Sequence, residues 1–225
     1  MTHVIRTYEK VGADLVEKYR ALPAATVYEA AGQTGMVDPA IRAVYPEAKV
    51  CGTAVTVFCH VGDNLMIHKA VSVAGPGDVL VVSIRNDGNS GAWGEILTTA
   101  AQARGIRGLI IDGAVRDAAA TRKRDFPIFS RGLAVGATMK KNLGLINHRL
   151  AIGSVIVHPG DLVLGDIDGV VVVPRERAEK VYRASMEREE AEQVLMDKLN
   201  AGQTTLDLLG LHTILDDLGM VEENE

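Results

Sequence analysis

The stretch Arg107-Gly-Leu-Ile-Ile-Asp-Gly-Ala-Val-Arg-Asp117 decides the fold. Its apolar first half predicts a strand over residues 107–112 that is covered on both faces. Gly113 predicts a turn, and the residues that follow predict a helix lasting to about Arg124. A buried strand that leads directly into a helix is typical of a layered α/β protein.

The segment before it completes the pattern. Val79-Leu-Val-Val-Ser83 predicts another short buried strand. A helix is predicted over 95–104, and Gly105 ends it. Strand, helix and strand joined by short loops form a βαβ unit, so the two strands should be parallel neighbours in one sheet.

Further elements are predicted on both sides of this unit. They are helices over 14–19, 24–31 and 64–73, and strands over 52–60, 128–130, 153–158, 162–164 and 170–173. Pro174 ends the strand-rich part, and a long polar helix follows over 175–199, with a shorter one over 205–218. The residues alone predict a mixed α/β chain with a βαβ core, a β-rich second half and a helical C-terminal extension.

The composition disfavours several classes of protein. The 225 residues carry 24 basic and 29 acidic side chains, a net charge of −5, which disfavours nucleic-acid binding. No apolar run reaches the roughly 18 residues of a membrane-spanning helix, and the N-terminus lacks the apolar core of a secretion signal. We therefore expect a cytoplasmic protein that acts on neither membranes nor nucleic acids. Cys51 and Cys59 are expected to be free thiols, with no zinc site.

The negative charge is concentrated at the C-terminus. Residues 175–225 hold thirteen acidic and six basic side chains, a net charge of −7, whereas residues 1–174 have a net charge of +2. The division at Pro174 predicts an α/β domain over 1–174 and an acidic helical extension over 175–225. The domain, unlike the whole chain, is suited to an anionic ligand.

Two helix starts form the candidate site. Gly94-Glu-Ile-Leu97 opens the helix after the first strand of the βαβ unit, and Arg116-Asp117 opens the helix after the second. Both are expected at the carboxyl ends of their strands, the edge where open α/β sheets bind ligands. The free amides of Ile96 and Leu97 at a helix N-terminus attract an anion.

Side chains add chemistry to these backbone groups. The planar guanidinium of Arg116 suits a carboxylate or a polarised carbonyl. Asp117 and Glu95 offer the oxygen ligands that Mg²⁺ or Mn²⁺ prefers, which predicts a site for a small oxo-acid with a divalent metal. Simpler explanations exist, because first-turn carboxylates complement the helix dipole and the glycine-rich loop 88–94 lacks a phosphate-binding motif. Trp93 in that loop is expected to be a packing or lid residue.

Other polar residues have structural explanations that we favour. His60 and His68 could share a metal, but capping or partly buried histidines are commoner. Asp166 and Asp168 suit a glycine-rich β-turn better than a calcium loop. The basic run Arg122-Lys-Arg124 lies at a helix end, where cations complement the dipole.

Five segments resemble the class II pyruvate aldolases that cleave 4-hydroxy-4-methyl-2-oxoglutarate and 4-carboxy-4-hydroxy-2-oxoadipate. This family shares a superfamily with the regulator of ribonuclease activity A. The resembling segments are 25–32, 59–68, 108–117, 159–161 and 165–174, and they extend over most of the chain. The resemblance implies a layered α/β/β/α sandwich with a C-terminal helical extension.

The family motif is an acidic residue, twenty intervening residues and then Arg-Asp, which Glu95 and Arg116-Asp117 match. The resemblance implies that Arg116 holds the C2 carbonyl oxygen of the substrate and stabilises the pyruvate enolate. It implies that Asp117 binds Mg²⁺ or Mn²⁺ directly and that Glu95 reaches the metal through water. Some members have Asp where this chain has Glu95, so the metal geometry is expected to differ slightly. The implied ligands of the pyruvyl carboxylate are the backbone amides of Gly94, Ile96 and Leu97.

The resemblance also gives the extension a role. In the resembling aldolases, a C-terminal helix reaches a neighbouring subunit and supplies a glutamate to its active site. In this chain we favour Glu192 over Glu189 for that role. The resemblance thus implies a trimer or hexamer with active sites at subunit interfaces. Regulators of the superfamily lack both the extension and the Asp that follows the Arg.

Three functions remain open. The first is metal-dependent cleavage of a 4-hydroxy-2-oxo acid to pyruvate and a second oxo-acid in the degradation of aromatic acids, with oxaloacetate decarboxylation as a side activity. The second is an enzyme that is primarily an oxaloacetate decarboxylase. The third is a non-catalytic regulator that binds a ribonuclease. Asp117 and the extension favour an enzyme.

Overall fold

The computed structural model describes residues 3–223. The strands are β1 (Arg42–Ala43), β2 (Val50–Phe58), β3 (Asp78–Asp87), β4 (Gly108–Val115), β5 (Ile128–Leu133), β6 (Leu145–Ile146), β7 (Leu150–Ile152), β8 (Val155–Val157), β9 (Leu162–Asp166) and β10 (Gly169–Val173). The helices are α1 (Ala13–Tyr19), α2 (Ala24–Ala30), α3 (Leu65–Val73), α4 (Glu95–Ala103), α5 (Ala118–Lys123), α6 (Ala178–Asn200), α7 (Thr205–Leu208) and α8 (Leu211–Asp217).

Eight of the strands form one sheet. Its order is β1-β5-β4-β3-β2-β9-β10, and β6 pairs with the end of β2. The neighbours from β2 to β5 run parallel, and β9 and β10 form an antiparallel hairpin beside β2. β7 and β8 form a separate hairpin. The predicted βαβ unit is confirmed, because β3 and β4 are parallel neighbours connected through α4.

The sheet curls until its two edges nearly meet. Residues 35–37 run along β10, where Val37 N–H donates to the oxygen of Val170 and Val172 N–H donates to the oxygen of Gly35, each at 2.9 Å. The chain then crosses to β1, which pairs with β5 at the other edge of the sheet. Only glycine fits at position 35, because a Cβ there would lie 2.1 Å from the Val172 oxygen and φ is +87°.

Alternating side chains divide the core into one inner and two outer clusters. The inner cluster lies between the two halves of the curled sheet and includes Val81 and Ile110. The first outer cluster packs α3 and α4 on the central strands, with Leu97 among its members. The second outer cluster packs α1, α2 and α6 on β9 and β10, with Val181 among its members. Helices cover both outer faces of the sheet, which confirms the α/β/β/α arrangement.

β4 is longer than predicted. It runs through Gly113 to Val115, so the turn predicted at Gly113 is wrong. The glycine allows close packing instead, because a Cβ there would lie 2.2 Å from Cδ1 of Ile84 on β3. The turn comes at Arg116 and Asp117, which places both residues just beyond the carboxyl end of the strand.

Other boundaries also differ from prediction. The strand predicted over 153–158 is present as β8 but begins only at Val155, because Gly153, with φ +59°, lies in the turn that joins β7 to β8. The long helix starts at Ala178, after a 3-10 turn. The helix predicted over 205–218 is divided by Gly210, whose φ is +65°. Among residues 3–223, no helix has the length and apolar character needed to cross a membrane.

Both cysteines are free, as predicted, and both are buried. Cys51 packs in the cluster beneath α1 and Cys59 in the cluster beneath α3. Burial raises the pKa of each thiol to about 12. Both thiols are therefore protonated and poorly reactive at neutral pH.

The C-terminal extension begins within the core of its own chain. Ala178 and Val181 on α6 are buried with α1 and α2, and the hydroxyl of Tyr19 donates to the oxygen of Ala178 at 2.7 Å. After Ser185, α6 has no buried residue, and α7 and α8 have none. Packing of the extension on a neighbouring subunit stays a prediction.

Candidate functional site

The two predicted helix starts meet at one edge of the sheet. α4 begins after the loop that follows β3, and α5 begins directly after β4. Because β3 and β4 are parallel neighbours, their carboxyl ends and both helix starts lie side by side. One cavity of about 170 Å³ at this edge is lined by Gly94, Ile96, Leu97, Arg116 and Asp117, together with residues from other segments.

Gly94 makes the close approach of the helix starts possible. It precedes α4 in an extended conformation, with φ −158°. A Cβ at this position would lie 2.4 Å from Oδ2 of Asp117 and 3.2 Å from Cγ of Arg116. A larger residue would therefore push both functional side chains out of position.

The carboxylate of Asp117 connects the two helix starts. Its backbone is left-handed (φ 57°, ψ 34°), which is uncommon outside glycine but tolerated by aspartate. Oδ2 accepts a hydrogen bond from Glu95 N–H at 3.0 Å and lies 3.8 Å from Nε of Arg116. The carboxylate is thus held beside the guanidinium, and both side chains are 44% exposed.

The start of α4 leaves two amides available to a ligand. Asp117 occupies the amide of Glu95, whereas the amides of Ile96 and Leu97 have no acceptor within the helix. Leu97 is buried and anchors the helix, and Ile96 is 79% exposed. Two amides at the positive end of a helix, beside an arginine, are groups suited to an anion.

Glu95 is paired with a residue that the sequence did not assign to this site. Its Oε1 accepts a hydrogen bond from Nε of Arg124 at 3.1 Å and lies 3.0 Å from Nη2 of the same arginine. The interpretation of Arg122–Arg124 as a dipole-complementing run is therefore incomplete. No sequence pattern signals this contact, because it joins residues of two helices that become neighbours only in the fold.

A divalent cation is compatible with the carboxylates present. Mg²⁺ usually keeps several waters and binds through one or two protein carboxylates. Oδ1 of Asp117 has no hydrogen-bond partner among residues 3–223, so it is the candidate direct ligand, whereas Glu95 is held by Arg124. Within the described chain, no cluster of three or more His, Cys, Asp or Glu side chains could hold a metal. The ligand set from one chain is therefore sparse.

Comparison with known proteins identifies the family. A family model described as RraA-like (Aldolase/RraA) matches residues 14–172. The chain belongs to the RraA-like family.

Members of the RraA-like family that resemble this chain include proteins with aldolase names. A protein of Halalkalibacterium halodurans named "Putative 4-hydroxy-4-methyl-2-oxoglutarate aldolase" is 34% identical over 176 residues, which cover 78% of this chain and 84% of that protein. A protein of Hahella chejuensis with the same name is 31% identical over 139 residues, covering 62% of this chain and 84% of that protein.

Solved structures confirm the RraA-like fold. An uncharacterized protein from Pseudomonas syringae pv. tomato has a TM-score of 0.80 at 28% identity, covering 88% of this chain and 93% of that one. Streptomyces coelicolor RraAS2, described as an unusual member of the RNase ES inhibitor RraA protein family, has a TM-score of 0.76 at 25% identity, covering 84% and 100%. Proteins named as aldolases and as relatives of a ribonuclease inhibitor thus resemble the same RraA-like chain.

In this RraA-like chain, the two glutamates predicted to complete the site lie along α6. Glu189 accepts a hydrogen bond from Oγ1 of Thr26 on α2 at 2.7 Å, and Glu192 lies 2.8 Å from Nε of Arg188. α2 and α6 belong to the outer layer opposite α4. Neither glutamate lines the cavity of its own chain, and delivery of one to a neighbouring subunit stays a prediction.

Two structural explanations from the sequence are confirmed. Asp166 lies in the β9–β10 turn, where its carboxylate accepts the N–H of Asp168 at 3.0 Å and the N–H of Ala24 at 2.8 Å. Trp93 is fully buried and stacks on Phe126, with ring centroids 5.8 Å apart. Trp93 is therefore a packing residue and not a lid.

The cavity also contains residues that the sequence did not assign to it. They are Gly91, Asn64, Ala92, His68, Thr138 and Lys140. The sequence pairs His68 with His60 as possible metal ligands, but only His68 lines the cavity. His60 is exposed and packs edge-on against Phe58. Lys140 carried no sequence signal, because it lies in a segment where no element is predicted. These residues line the cavity only because distant segments of the folded chain meet at this edge of the sheet.

Proposed function

We propose that this protein is a divalent-metal-dependent aldolase that cleaves a 4-hydroxy-2-oxo acid to pyruvate and a second oxo-acid. The candidate substrates are 4-hydroxy-4-methyl-2-oxoglutarate and 4-carboxy-4-hydroxy-2-oxoadipate, with oxaloacetate decarboxylation as a side activity. One observation carries the proposal: Arg116, Asp117 and the free amides of α4 converge on one cavity. The names of relatives at 34% and 31% identity support it.

The pyruvyl half of such a substrate matches these groups. Its carboxylate accepts hydrogen bonds from the amides of Ile96 and Leu97. Its C2 carbonyl oxygen accepts hydrogen bonds from the Arg116 guanidinium. Donors that are fixed before the reaction stabilise the charge that develops on this oxygen more than they stabilise the neutral carbonyl.

Cleavage is a retro-aldol reaction. A base removes the proton from the C4 hydroxyl, the C4–O bond becomes a carbonyl and the C3–C4 bond breaks. The electron pair of that bond forms the C2–C3 double bond, and the negative charge settles on the C2 oxygen, where Arg116 stabilises it. The enolate then takes a proton at C3 and leaves as pyruvate.

Two acidic residues are candidates for the proton transfers. Glu95 pairs with Arg124 and lies between the cavity residues Gly94 and Ile96, from where it can orient a water that acts as base. By the family resemblance, the second acidic residue is Glu192 of a neighbouring subunit, with Glu189 as the alternative. When bound, Mg²⁺ or Mn²⁺ supplies positive charge that polarises the C2 carbonyl, with Asp117 as direct ligand and Glu95 as ligand through water.

A homo-oligomer would complete this site. Because α6 and the cavity lie in opposite outer layers, a glutamate of α6 reaches a cavity only in another chain of a trimer or hexamer. Exposed apolar residues beside the cavity and on α6 support such an interface. They are Leu133, Val135, Met186, Val194 and Met196.

Two alternative functions are supported by part of the same observations. Decarboxylation of oxaloacetate breaks a C3–C4 bond and yields the same enolate, so the pyruvyl half of the site serves both reactions. A regulator that binds a ribonuclease is suggested by the description of the Streptomyces relative. Asp117 favours an enzyme over a regulator, because its left-handed backbone and its bond to α4 place a carboxylate beside Arg116.

The test is a coupled assay of pyruvate release. Lactate dehydrogenase and NADH report pyruvate formed from 4-hydroxy-4-methyl-2-oxoglutarate or from oxaloacetate, with Mg²⁺ or with EDTA, and enzyme-free rates are subtracted. We expect Mg²⁺-dependent release from both, with the higher kcat/KM for the aldol substrate. Release from oxaloacetate alone would make decarboxylation the main activity. No release, or release that EDTA leaves unchanged, would overturn the proposal.

A further inference from the structure

The ion pair between Glu95 and Arg124 contributes little to folding. Both side chains are more than a third exposed, at 46% and 37%, and exposed ion pairs add little stability. Nε and Nη2 of Arg124 both lie within 3.1 Å of one oxygen of Glu95, Oε1. The guanidinium therefore holds the carboxylate through two contacts, and this fixed arrangement of two long side chains indicates a role other than stability.

Arg124 is itself held between two helices. It follows the last residue of α5, where its N–H donates to the oxygen of Thr121 at 3.1 Å. Its own oxygen accepts a hydrogen bond from Nε2 of Gln102, near the end of α4, at 2.7 Å. The backbone from which the guanidinium extends is therefore fixed relative to α4, the helix that begins with Glu95.

Glu95 is thereby connected to both ends of α5. Its backbone N–H donates to Asp117, which precedes the first residue of α5, whereas its carboxylate is bound by Arg124. Asp117 and Arg124 are seven positions apart, a rise of about 10 Å along a helix. Glu95 does not line the cavity, although Gly94 and Ile96 on either side of it do. The ion pair thus holds the carboxylate apart from the groups that line the cavity.

Without this ion pair, Glu95 would compete for a place on the metal. A glutamate side chain is flexible, and an ionised carboxylate near Asp117 can replace one of the waters that Mg²⁺ or Mn²⁺ keeps. A second direct carboxylate strengthens metal binding but leaves no water between Glu95 and the metal. The proposed reaction uses Glu95 through water, both as a ligand and to orient the base.

We propose that Arg124 is a positioning residue that keeps Glu95 from binding the metal directly. It engages Oε1 and restricts the carboxylate to contacts through water, so that Asp117 is the only direct ligand from this part of the chain. The inference rests on the proposed function, because it needs a divalent metal at Asp117. It adds that Arg124 weakens metal binding and at the same time raises the rate of the reaction.

Binding of Mn²⁺ to the full chain tests this role without substrate. Electron paramagnetic resonance of free Mn²⁺ gives the Kd, and relaxation of water protons gives the number of exchanging waters on bound Mn²⁺. The variants are Arg124→Met, Arg124→Lys and the control Arg122→Met. Arg122 is a basic residue of the same helix, but its ion pair is with Glu47, at 2.9 Å.

We expect Arg124→Met to bind Mn²⁺ about fivefold more tightly, the upper range for release of an exposed ion pair, and bound Mn²⁺ to lose one water. The kcat of pyruvate release should nevertheless fall by about tenfold or more, since Glu95 on the metal no longer orients the base. Arg124→Lys keeps the charge and should retain wild-type values, as should Arg122→Met. In a Glu95→Gln background, Arg124→Met should change the Kd by less than about twofold, because the carboxylate is absent.

Unchanged or weaker Mn²⁺ binding in Arg124→Met, or an unchanged number of waters, would overturn the inference. An effect that persisted in the Glu95→Gln background would also overturn it, because Arg124 would then act through its charge alone. Asp117→Asn distinguishes these results from failure of the proposed function. If the wild type binds no Mn²⁺, or if Asp117→Asn binds it equally well, the metal site at Asp117 is refuted and the inference with it.

Discussion

A single carboxylate oxygen organises the candidate site at the scale of residues. Oδ2 of Asp117 accepts a hydrogen bond from the first N–H group of α4 and lies 3.8 Å from Nε of Arg116. The space for this contact exists only because Gly94 has no Cβ. The motif residues Glu95, Arg116 and Asp117 are therefore coupled through backbone geometry as well as through charge.

Replacing Gly94 by alanine should test this coupling. The new Cβ would stand 2.4 Å from Oδ2 of Asp117, so the carboxylate must move. We expect kcat to fall by about a hundredfold, the effect of misplacing a catalytic group by an ångström. Gly88→Ala is the matched control, since nothing lies within 4 Å of its Cβ. Wild-type turnover in Gly94→Ala would show that the close approach has no functional role.

Replacing Arg116 by alanine should remove the stabilisation of the enolate oxygen. The side chain is half exposed and contributes little to the core, so the fold should be retained. We expect the rate of pyruvate release to fall by roughly a hundred- to a thousandfold, while the far-ultraviolet circular dichroism spectrum stays unchanged. Arg122→Ala, which removes an exposed pair with Glu47, is the control. A near-normal rate in Arg116→Ala would exclude its proposed role.

The residues of the candidate site could be predicted from the sequence, but the side chains that contact them could not. The spacing between Glu95 and Arg116 is a linear pattern that can be read without a fold. The pairing of Glu95 with Arg124 and the presence of Lys140 in the cavity depend on which segments become neighbours. Such contacts between distant segments leave no periodic signal in the chain.

At the scale of elements, the site depends on loops that are held by buried carboxylates. Asp63 fixes the segment around Lys140 to the start of α3, and Asp87 accepts the amides of Gly62 and Asn89 at 2.9 Å each. Burial opposes ionisation of Asp63 and Asp87, but their hydrogen bonds hold the pKa of each below its usual range. Their carboxylate forms therefore stabilise the loops around the cavity.

Acid should weaken these loops. A lowered pKa in the folded state contributes stability that is present above the unfolded pKa of about 3.9 and is lost as the pH falls through the folded value. Asp63→Asn should lower the free energy of unfolding at pH 7 by about 1 kcal/mol or more and reduce its dependence on pH below about 4. Thermal unfolding between pH 7 and pH 3 measures both effects, with the exposed Asp217→Asn as control. If Asp63→Asn changed neither the midpoint temperature of unfolding at pH 7 nor the fall of that temperature in acid, this role of Asp63 would be contradicted.

Strong apolar runs predicted the central elements, whereas glycines caused the errors. The strand over residues 107–112 and the helix over 95–104 are present, because long buried elements have clear patterns. The sequence predicts a turn at Gly113, which is instead a packing contact within β4, and it predicts a strand from Gly153, which instead lies in the turn before β8. A glycine signals either a turn or a close approach, and the choice between them depends on neighbours that the sequence does not identify.

At the scale of the whole molecule, the start of α4 and the first turns of α6 lie in opposite layers of the curled sheet. The first turns of α6 belong to the core of their own chain, so truncation after Pro174 would remove Ala178 and Val181 and damage the fold. Point variants are the sharper test of a shared site. The order of layers was implied by the family resemblance, since the near-closure of the sheet through residues 35–43 has no local signature in the sequence.

A shared site predicts complementation between two inactive variants. Arg116→Ala and Glu192→Gln should each be impaired alone, but chains of both kinds in one oligomer form some interfaces with both parts intact. Random mixing should recover up to about a quarter of the wild-type rate, because about one interface in four pairs the two intact parts. Glu190→Gln is the control, and light scattering should give three or six times the chain mass of 24.0 kDa. A site shared between subunits would be contradicted if neither Glu192→Gln nor Glu189→Gln regained activity when mixed with Arg116→Ala. A monomeric mass would contradict it as well.

The central claim is that Arg116, Asp117 and the start of α4 stabilise the enolate of pyruvate with a divalent metal. Exchange of the pyruvate methyl protons with D₂O, followed by proton nuclear magnetic resonance, tests this without knowledge of the rest of the substrate. We predict that the protein with Mg²⁺ accelerates the exchange, that EDTA or Arg116→Ala abolishes the acceleration, and that Arg122→Ala retains it. Absence of exchange above the protein-free rate, or exchange that is insensitive to EDTA and to Arg116→Ala, would contradict the claim.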